Sequence, residues 1–441
     1  MGPRRHTAFP SRSSGGSPPL GCAAWKTPIG CSPERRERMN AMSRQGTAVQ
    51  SNEFTEAELM MRARGLAELA WKHREETEAT RRIPRVVIDA LFDSGLLRLG
   101  TSRRMGGLEG HPLTLVEVGR ELSRGSAALG WLYGLTVGHQ WYLSFMSERF
   151  QQEVRDSKPG LIVDSLVPAG QAEPADGGFL LSGHWKFVSG VEWCSWAGLA
   201  VVAKLPGRTE PEPLVMFVPA DKLKIEDTWH TVGLRGTASN EIKLERVFVP
   251  LHRIFALARF AADGKPQGEV SEPGTLYKLP FMAMAAIQLC YPALGAAQRV
   301  LEEYAAWTKK RVRAYEHTAA KEAPYSQMTL ADATVKWDAA RALLLQYVRD
   351  AWEAAEAGRE VPSPEERARM FGQRAFITRT CAELTNQLFL DSGAMSLFET
   401  SAMQALWRDV NAASMHMVLS RGDALTSLGR TQMGLPGHHF A

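Results

Sequence analysis

Cysteine is scarce in this chain. Five residues, Cys22, Cys31, Cys194, Cys290 and Cys381, are spread over 441 positions with no CxxC pair among them. Such spacing indicates neither a disulfide framework nor a zinc site, and the odd count fits a reducing cytoplasm better than secretion. Long apolar runs are lacking too. No uncharged apolar window of 18 or more residues stands out; the longest candidate, 279–295, contains two prolines and Gln288 and reads as a buried core helix. Charge of one sign is missing from the body of the chain. The net charge of +4 is smaller than the excess within residues 1–45, where eight Lys/Arg face two Glu, so the remainder is slightly acidic. A body without a basic field does not suit nucleic acid. Also absent are a βαβ alternation and any GxGxxG after a strand, which excludes a Rossmann dinucleotide domain.

What is present is ordinary globular composition, 44% hydrophobic and 23% charged, in a chain long enough for two or three domains. Residues 1–45 are rich in Pro, Gly, Ser and Arg, which predicts a disordered tail over 1–50. The same Arg-rich, acid-poor stretch has transit-peptide character, and Met39 and Met42 mark an alternative start before the first helix. Sheet signal is confined to 161–250. GGFLLSGHWKFVSG reads as two short runs divided by Ser182 and Gly183, WAGLAVVAKL as a strand buried on both faces, and NEIKLERVFVP as an alternating strand. Helical periodicity covers 52–71, 84–95, 113–124 and 127–150 before the sheet, and 280–310, 326–357, 367–390 and 402–428 after it. The predicted fold is α+β and mostly α, a small β-domain clamped between two helical blocks.

Four segments in this order resemble the acyl-CoA dehydrogenase fold over about residues 52–430. They are IPRVVIDALFDSGLLRLGTSRRMGGLEG, DSLVPAGQAEPADGGFLLSGHWKFVSG, WHTVGLRGTASNEIKLERVFVP and LWRDVNAASMH. The resemblance implies an N-terminal α domain over 51–160, a β domain over 161–255 and a C-terminal four-helix bundle over 256–441. Three departures bear on the reaction. Acyl-CoA dehydrogenases remove an α-proton with a carboxylate, yet neither 410–420 nor 276–300 contains one. The family's R-x-x-F-G pattern is replaced by RVRAYEHTAAKEA, which implies looser FAD binding, or FMN.

These departures resemble the flavin-dependent monooxygenases built on the same fold, the oxygenase halves of two-component hydroxylases. The resemblance implies a separate NAD(P)H:flavin reductase that supplies FMNH2 or FADH2. O2 then adds at flavin C4a, and the C4a-hydroperoxide hydroxylates an aromatic or phenolic ring, possible substrates extending to polycyclic rings. It also implies roles for particular residues. His416, seven residues after Asp409 on what reads as one helix face, stands where a His assists O2 chemistry. Ser189 in FVSG matches a hydroxyl that meets flavin N5 or O4, and Trp131 flanks the ring. Arg235 and Ser239 in GLRGTAS match the second flavin segment, Arg235 suiting a phosphate or pyrimidine oxygen. His139 and Ser165 take the places that hold a substrate hydroxyl.

Plainer readings stand beside each of these: a capped His416, a turn Ser189, a core Trp131 or His139, and Arg235 as a tie between helix and sheet. Arg408–Asp409 reads as a helix-anchoring ion pair, and Trp185, Trp193 and Trp196 as a cavity wall or sheet core. The alternatives are an FAD-dependent acyl-CoA dehydrogenase and a catalytically inactive structural subunit. No metal is expected. A cytoplasmic homotetramer is, with the apolar 280–300 helix supplying interface surface.

Overall fold

The computed structural model describes residues 54–263, 267–269, 271–312, 317–359 and 362–437. The expectations for residues 1–50 lie outside them. The described residues belong to one compact unit.

Among the described residues six helices precede the sheet: α1 (Glu56–Lys72), α2 (Arg74–Thr80), α3 (Arg85–Asp93), α4 (Pro112–Gly125), α5 (Ala127–Leu143) and α6 (Glu148–Asp156). Thr55 and Glu58 close a reciprocal capping box on α1. The helix expected over 127–150 is interrupted, because the Ser147 hydroxyl accepts from the Phe150 N–H and starts α6 anew. All residues of α5 except Leu135 and Gln140 are buried. A helix apolar on every side belongs in a core, and α5 packs against α4, the strand Leu161–Ala175 and the later helices Phe281–Ile287, Tyr291–Lys310 and Ala402–Ala413. Its glycines let neighbours approach: a Cβ at Gly134 would lie 2.3 Å from the Tyr291 hydroxyl.

Seven strands follow among the described residues: β1 (Leu161–Ala175), β2 (Gly178–Val188), β3 (Cys194–Ala203), β4 (Glu212–Pro219), β5 (Lys224–Glu226), β6 (Asn240–Pro250) and β7 (Ile254–Phe255). They form one sheet in the order β5-β6-β2-β1-β3-β4-β7, with β1 and β3 parallel and the other pairs antiparallel. The residues of β3 from Trp196 to Val201 are all buried, as an apolar run with both faces covered requires. The two runs expected within 177–190 are instead the single strand β2. Ser182 and Gly183 mark a register shift against β6, not a turn. Gly183 lies so close to Gly170 that a Cβ would meet the Gly170 Cα at 2.6 Å and the Trp185 ring at 2.6 Å. A glycine at such a point lets the strand bend without ending it.

The remaining helices are α7 (Leu257–Asp263), α8 (Phe281–Ile287), α9 (Tyr291–Lys310), α10 (Pro324–Glu356), α11 (Pro364–Ser392), α12 (Ala402–Ala413) and α13 (Arg421–Gln432). Two expected helices are thus divided. Pro292 occupies the first turn of α9, where a missing N–H is tolerated, and the chain breaks just before it. The segment Phe281–Lys310 is long and apolar enough to cross a membrane by composition, but 83% of its most apolar window is buried within the protein. It therefore does not present the interface surface expected of it. Exposed apolar side chains lie instead on α10 (Tyr325, Met328, Val335) and α11 (Phe376, Leu390).

Candidate active site

Trp131 on α5, Ser189 just after β2 and the loop between β5 and β6 meet around one chain of hydroxyls. The Trp131 Nε1–H donates to Ser189 Oγ at 3.2 Å. Ser189 Oγ lies 2.8 Å from Ser239 Oγ, which lies 2.7 Å from Thr237 Oγ1. Thr237 Oγ1 donates to the Leu234 carbonyl at 2.9 Å. All four side chains are buried. The backbone here is strained: Phe187, Leu234 and Ala238 hold φ of 59°, 50° and 42°. Each such residue costs on the order of 1–3 kcal/mol, and strain of this kind concentrates at functional loops. The Gly190 N–H donates to the Thr237 carbonyl at 2.8 Å and ties the two loops together.

From the C-terminal side α12 reaches the same loop. Arg408 and Asp409 do not form the expected pair with one another. Asp409 Oδ1 accepts the Leu234 N–H at 2.7 Å, while Arg408 binds Glu78 at 2.8 Å and donates to the Val232 carbonyl. Gly233 makes this contact possible, since a Cβ there would sit 2.3 Å from the Arg408 carbonyl oxygen. Burial pushes the Asp409 carboxyl up to about 7; the Leu234 N–H opposes the rise and Glu78 adds to it. Arg235 is committed to the same Glu78 at 3.1 Å and to the Glu78 and Thr231 carbonyls. It ties α2 to the loop.

His416 does not continue α12, which ends at Ala413. It therefore does not share a helix face with Asp409. It sits in extended backbone and caps the next helical turn, its Nδ1 accepting the Val418 N–H at 3.4 Å. Its ring lies 5.8 Å from Trp131, inclined at 57°. Burial lowers its pKa below the ordinary range, and the charge of Asp164 opposes that only in part. The neutral ring, with Nδ1 accepting, carries its proton on Nε2 and so offers a donor.

Two turns along α5, His139 is buried with both ring nitrogens engaged. Nδ1 meets the Ile162 carbonyl at 2.7 Å and Nε2 meets Asp164 Oδ2 at 3.1 Å. Both partners can accept, so the arrangement favours an imidazolium that donates from both nitrogens. Burial works against that charge, but Asp164 and the Ile162 carbonyl outweigh it and raise the His139 pKa. The Tyr142 hydroxyl also donates to Asp164 Oδ2, at 3.2 Å. Ser165, the next residue on β1, points to the opposite face by strand alternation, and its hydroxyl donates to the Lys186 carbonyl. His139 and Ser165 are therefore not brought together. Trp185 and Trp196 are buried in the sheet core, the Trp185 Nε1–H donating to the Ala200 carbonyl at 2.8 Å and Trp196 packing edge-on to Phe150.

Residues 55–154 match the model of the acyl-CoA dehydrogenase N-terminal domain, and 287–421 that of the C-terminal domain. The FADH2-dependent resorcinol hydroxylase oxygenase component of Rhizobium sp. (strain MTP-10005) is 33% identical over 385 residues, 86% of this chain and 94% of that protein. The chain belongs to the flavin-dependent monooxygenases of the acyl-CoA dehydrogenase fold. Solved structures agree with that membership. The 3-HSA hydroxylase from Rhodococcus sp. RHA1 superimposes with a TM-score of 0.81 at 29% identity, over 87% of this chain and 98% of its own. XiaF from Streptomyces sp., in complex with FADH2 and glycerol, gives 0.79 at 26% identity, over 91% and 98%.

The residues of this oxygenase fit the ring of the flavin that the family implies. Trp131 and His416 offer two aromatic surfaces, His416 Nε2 an open donor, and Ser189 a lone pair unused by its two partners. Three contributors escaped the sequence reading: Asp164, Thr237 and Glu78. A lone acid in the apolar run LIVDS was the available signal for Asp164, and the Thr/Ser spacing in GTAS for Thr237. Nothing local marks Glu78. Among the described residues one group has metal-ligand geometry, His184, Glu226 and Glu241. Lys243 binds Glu226 at 2.8 Å and Lys186 approaches Glu241 at 3.6 Å, so its charge is already balanced.

Proposed function

We propose that this oxygenase hydroxylates a phenolic aromatic substrate, using O2 and FMNH2 or FADH2 delivered by a separate NAD(P)H:flavin reductase. Reduced flavin, when bound, supplies the two electrons that activate O2. Trp131 would flank the ring and, with the almost wholly buried α5, keep water from it. Ser189 would accept a hydrogen bond from the ring edge. His416 donates from Nε2, neutral and able to return to that state at physiological pH. Asp164 Oδ1, which has no protein partner among the described residues, accepts the substrate hydroxyl. Drawing that proton toward a carboxylate raises electron density on the ring, which electrophilic hydroxylation needs. His139 acts through Asp164 by holding its other oxygen. The dehydrogenase alternative is disfavoured by the missing base and by the relatives.

The observation that carries this reading is the pair of opposite open polarities, a His416 donor and a Ser189 acceptor, that both adjoin Trp131. The test is His416→Ala, assayed with a flavin reductase and a panel of phenols. Reduced-flavin affinity should persist while product per flavin oxidised falls by about 100-fold or more, the usual range for losing a general acid. Unchanged product yield removes His416 from the reaction. The enzyme is further proposed to be a cytoplasmic homotetramer whose contacts use the exposed apolar side chains of α10 and α11. Light scattering that returned a monomer would remove that assignment.

A further inference from the structure

The direction of every hydrogen bond in the Trp131–Ser189–Ser239–Thr237 chain follows from its two ends. A carbonyl oxygen can only accept, so the single Thr237 hydroxyl proton is spent on Leu234. Thr237 must then accept from Ser239, and Ser239 must accept from Ser189. At the other end an indole N–H can only donate, and it does so to Ser189. Ser189 therefore has its proton committed and one lone pair left. Whatever touches that hydroxyl has to be a donor. The Leu234 carbonyl that sets the direction is itself held from several sides. Its residue sits at φ 50°, its N–H is bound by Asp409, and its oxygen also receives the Trp229 Nε1–H at 2.9 Å. The anchor of the chain cannot swing to reverse it.

We propose that this fixed direction makes the site select the redox state of its flavin, with Thr237 and Ser239 as positioning residues acting through Ser189. The inference rests on the reading that Ser189 meets the flavin edge. Reduced flavin carries a hydrogen on N5 and donates; oxidised flavin has a bare N5 that only accepts, and O4 accepts in both states. An acceptor-only Ser189 bonds the reduced N5–H and opposes a bare N5 with its own lone pair. Retention of reduced flavin until O2 arrives, and release once it is oxidised, then follows from hydrogen-bond direction without any moving part.

The experiment is anaerobic titration of the full-length protein with FMN, oxidised and dithionite-reduced, in wild type, Thr237→Val, Thr237→Ser and Ser239→Ala. Wild type binds reduced FMN more tightly. Thr237→Val and Ser239→Ala free the Ser189 proton to turn outward, and the ratio of oxidised to reduced dissociation constants falls about tenfold, the worth of roughly one hydrogen bond. Thr237→Ser keeps the hydroxyl and keeps the ratio. A general loss of packing would weaken both redox forms together and leave the ratio where it was. Should Thr237→Val not fold, Ser239→Ala carries the same readout. An unchanged ratio in Ser239→Ala, or an equal collapse in Thr237→Ser, overturns the proposal. Equal affinity of wild type for both redox states overturns it while leaving the flavin site in place. No binding of either state overturns the flavin reading as well.

Discussion

The two ends of α5 bury polar groups of opposite kinds. Around Trp131 the partners are neutral hydroxyls in a chain with a fixed direction. Around His139 they are an imidazolium and a carboxylate 3.1 Å apart, with Tyr142 on the same oxygen. A neutral chain has no solvation debt of charge, and its hydroxyls specify geometry without titrating near neutrality themselves; the pH dependence at this end comes from Asp409, which holds the anchor. An ion pair in a core is the reverse: each charge is tolerable only while the other is present. One helix thus carries a site part that discriminates by donor and acceptor, and another that discriminates by charge.

The most severe way to break this comparison is to remove one charge. Asp164→Leu should cost about 3–5 kcal/mol in urea denaturation at pH 6, because His139 is left charged without a partner or must discharge. The His139 pKa is raised on folding. The pair's contribution is therefore full below about pH 6.5 and is lost as pH rises through the folded value. The gap between wild type and variant should narrow above that pH; a gap flat from pH 5 to 9 would show that His139 is not an imidazolium.

A middle-sized effect is expected at the anchored end of the hydroxyl chain, where Asp409 holds Leu234. Its carboxyl is raised to about 7 on folding, so the folded state favours the protonated form. Wild-type stability from this group is greatest in acid and falls as pH climbs from the unfolded value near 4 toward 7. Asp409→Asn keeps an acceptor for the Leu234 N–H and has no charge to bury. It should be more stable than wild type above pH 7, by on the order of 1–2 kcal/mol once relaxation around the charge is allowed for. The advantage should shrink toward pH 5. A variant less stable than wild type at pH 8.5 would mean that the Asp409 charge is needed.

The smallest effect sharpens the comparison by a neighbour. Ser165→Ala removes a hydroxyl next to Asp164 in sequence but directed to the other face of β1, where it meets only the Lys186 carbonyl. Stability should change by less than about 0.5 kcal/mol, and phenol hydroxylation by less than about twofold. A loss of turnover comparable with that of an Asp164 variant would restore Ser165 to the substrate site.

Much of this was legible in the chain before folding. Periodicity located the helices and the sheet because burial of a stripe or a face is written in residue spacing. WAGLAVVAKL announced a strand covered on both sides, and β3 is one. The motifs FVSG and GLRGTAS pointed to Ser189 and Ser239, which the fold does bring within 2.8 Å of each other. Breaks were harder to see. The restarts after α5 and α12 depend on single capping side chains, Ser147 and His416, each worth only about 1 kcal/mol. Hence periodicity runs helices together where the chain breaks them, and it places His416 on a face it does not occupy.

By itself the sequence determined the class of the molecule: the helix and strand segments, the absence of a carboxylate base in 276–300 and 410–420, and the hydroxyls and histidines available for chemistry. Which of them remain free was decided only in three dimensions. Arg235 reads as an anion binder in GLRGTAS, yet Glu78, 157 residues earlier, engages its Nε and the Thr231 carbonyl its Nη1. His139 reads as a substrate ligand, yet Ile162 and Asp164 use both its nitrogens. Ser189 reads as a hydroxyl that could donate or accept, yet a carbonyl three bonds away along the chain makes it an acceptor. The reason is common to all three. A side chain's chemical type is a local property, but its unused valence is what remains after every neighbour in space has drawn on it.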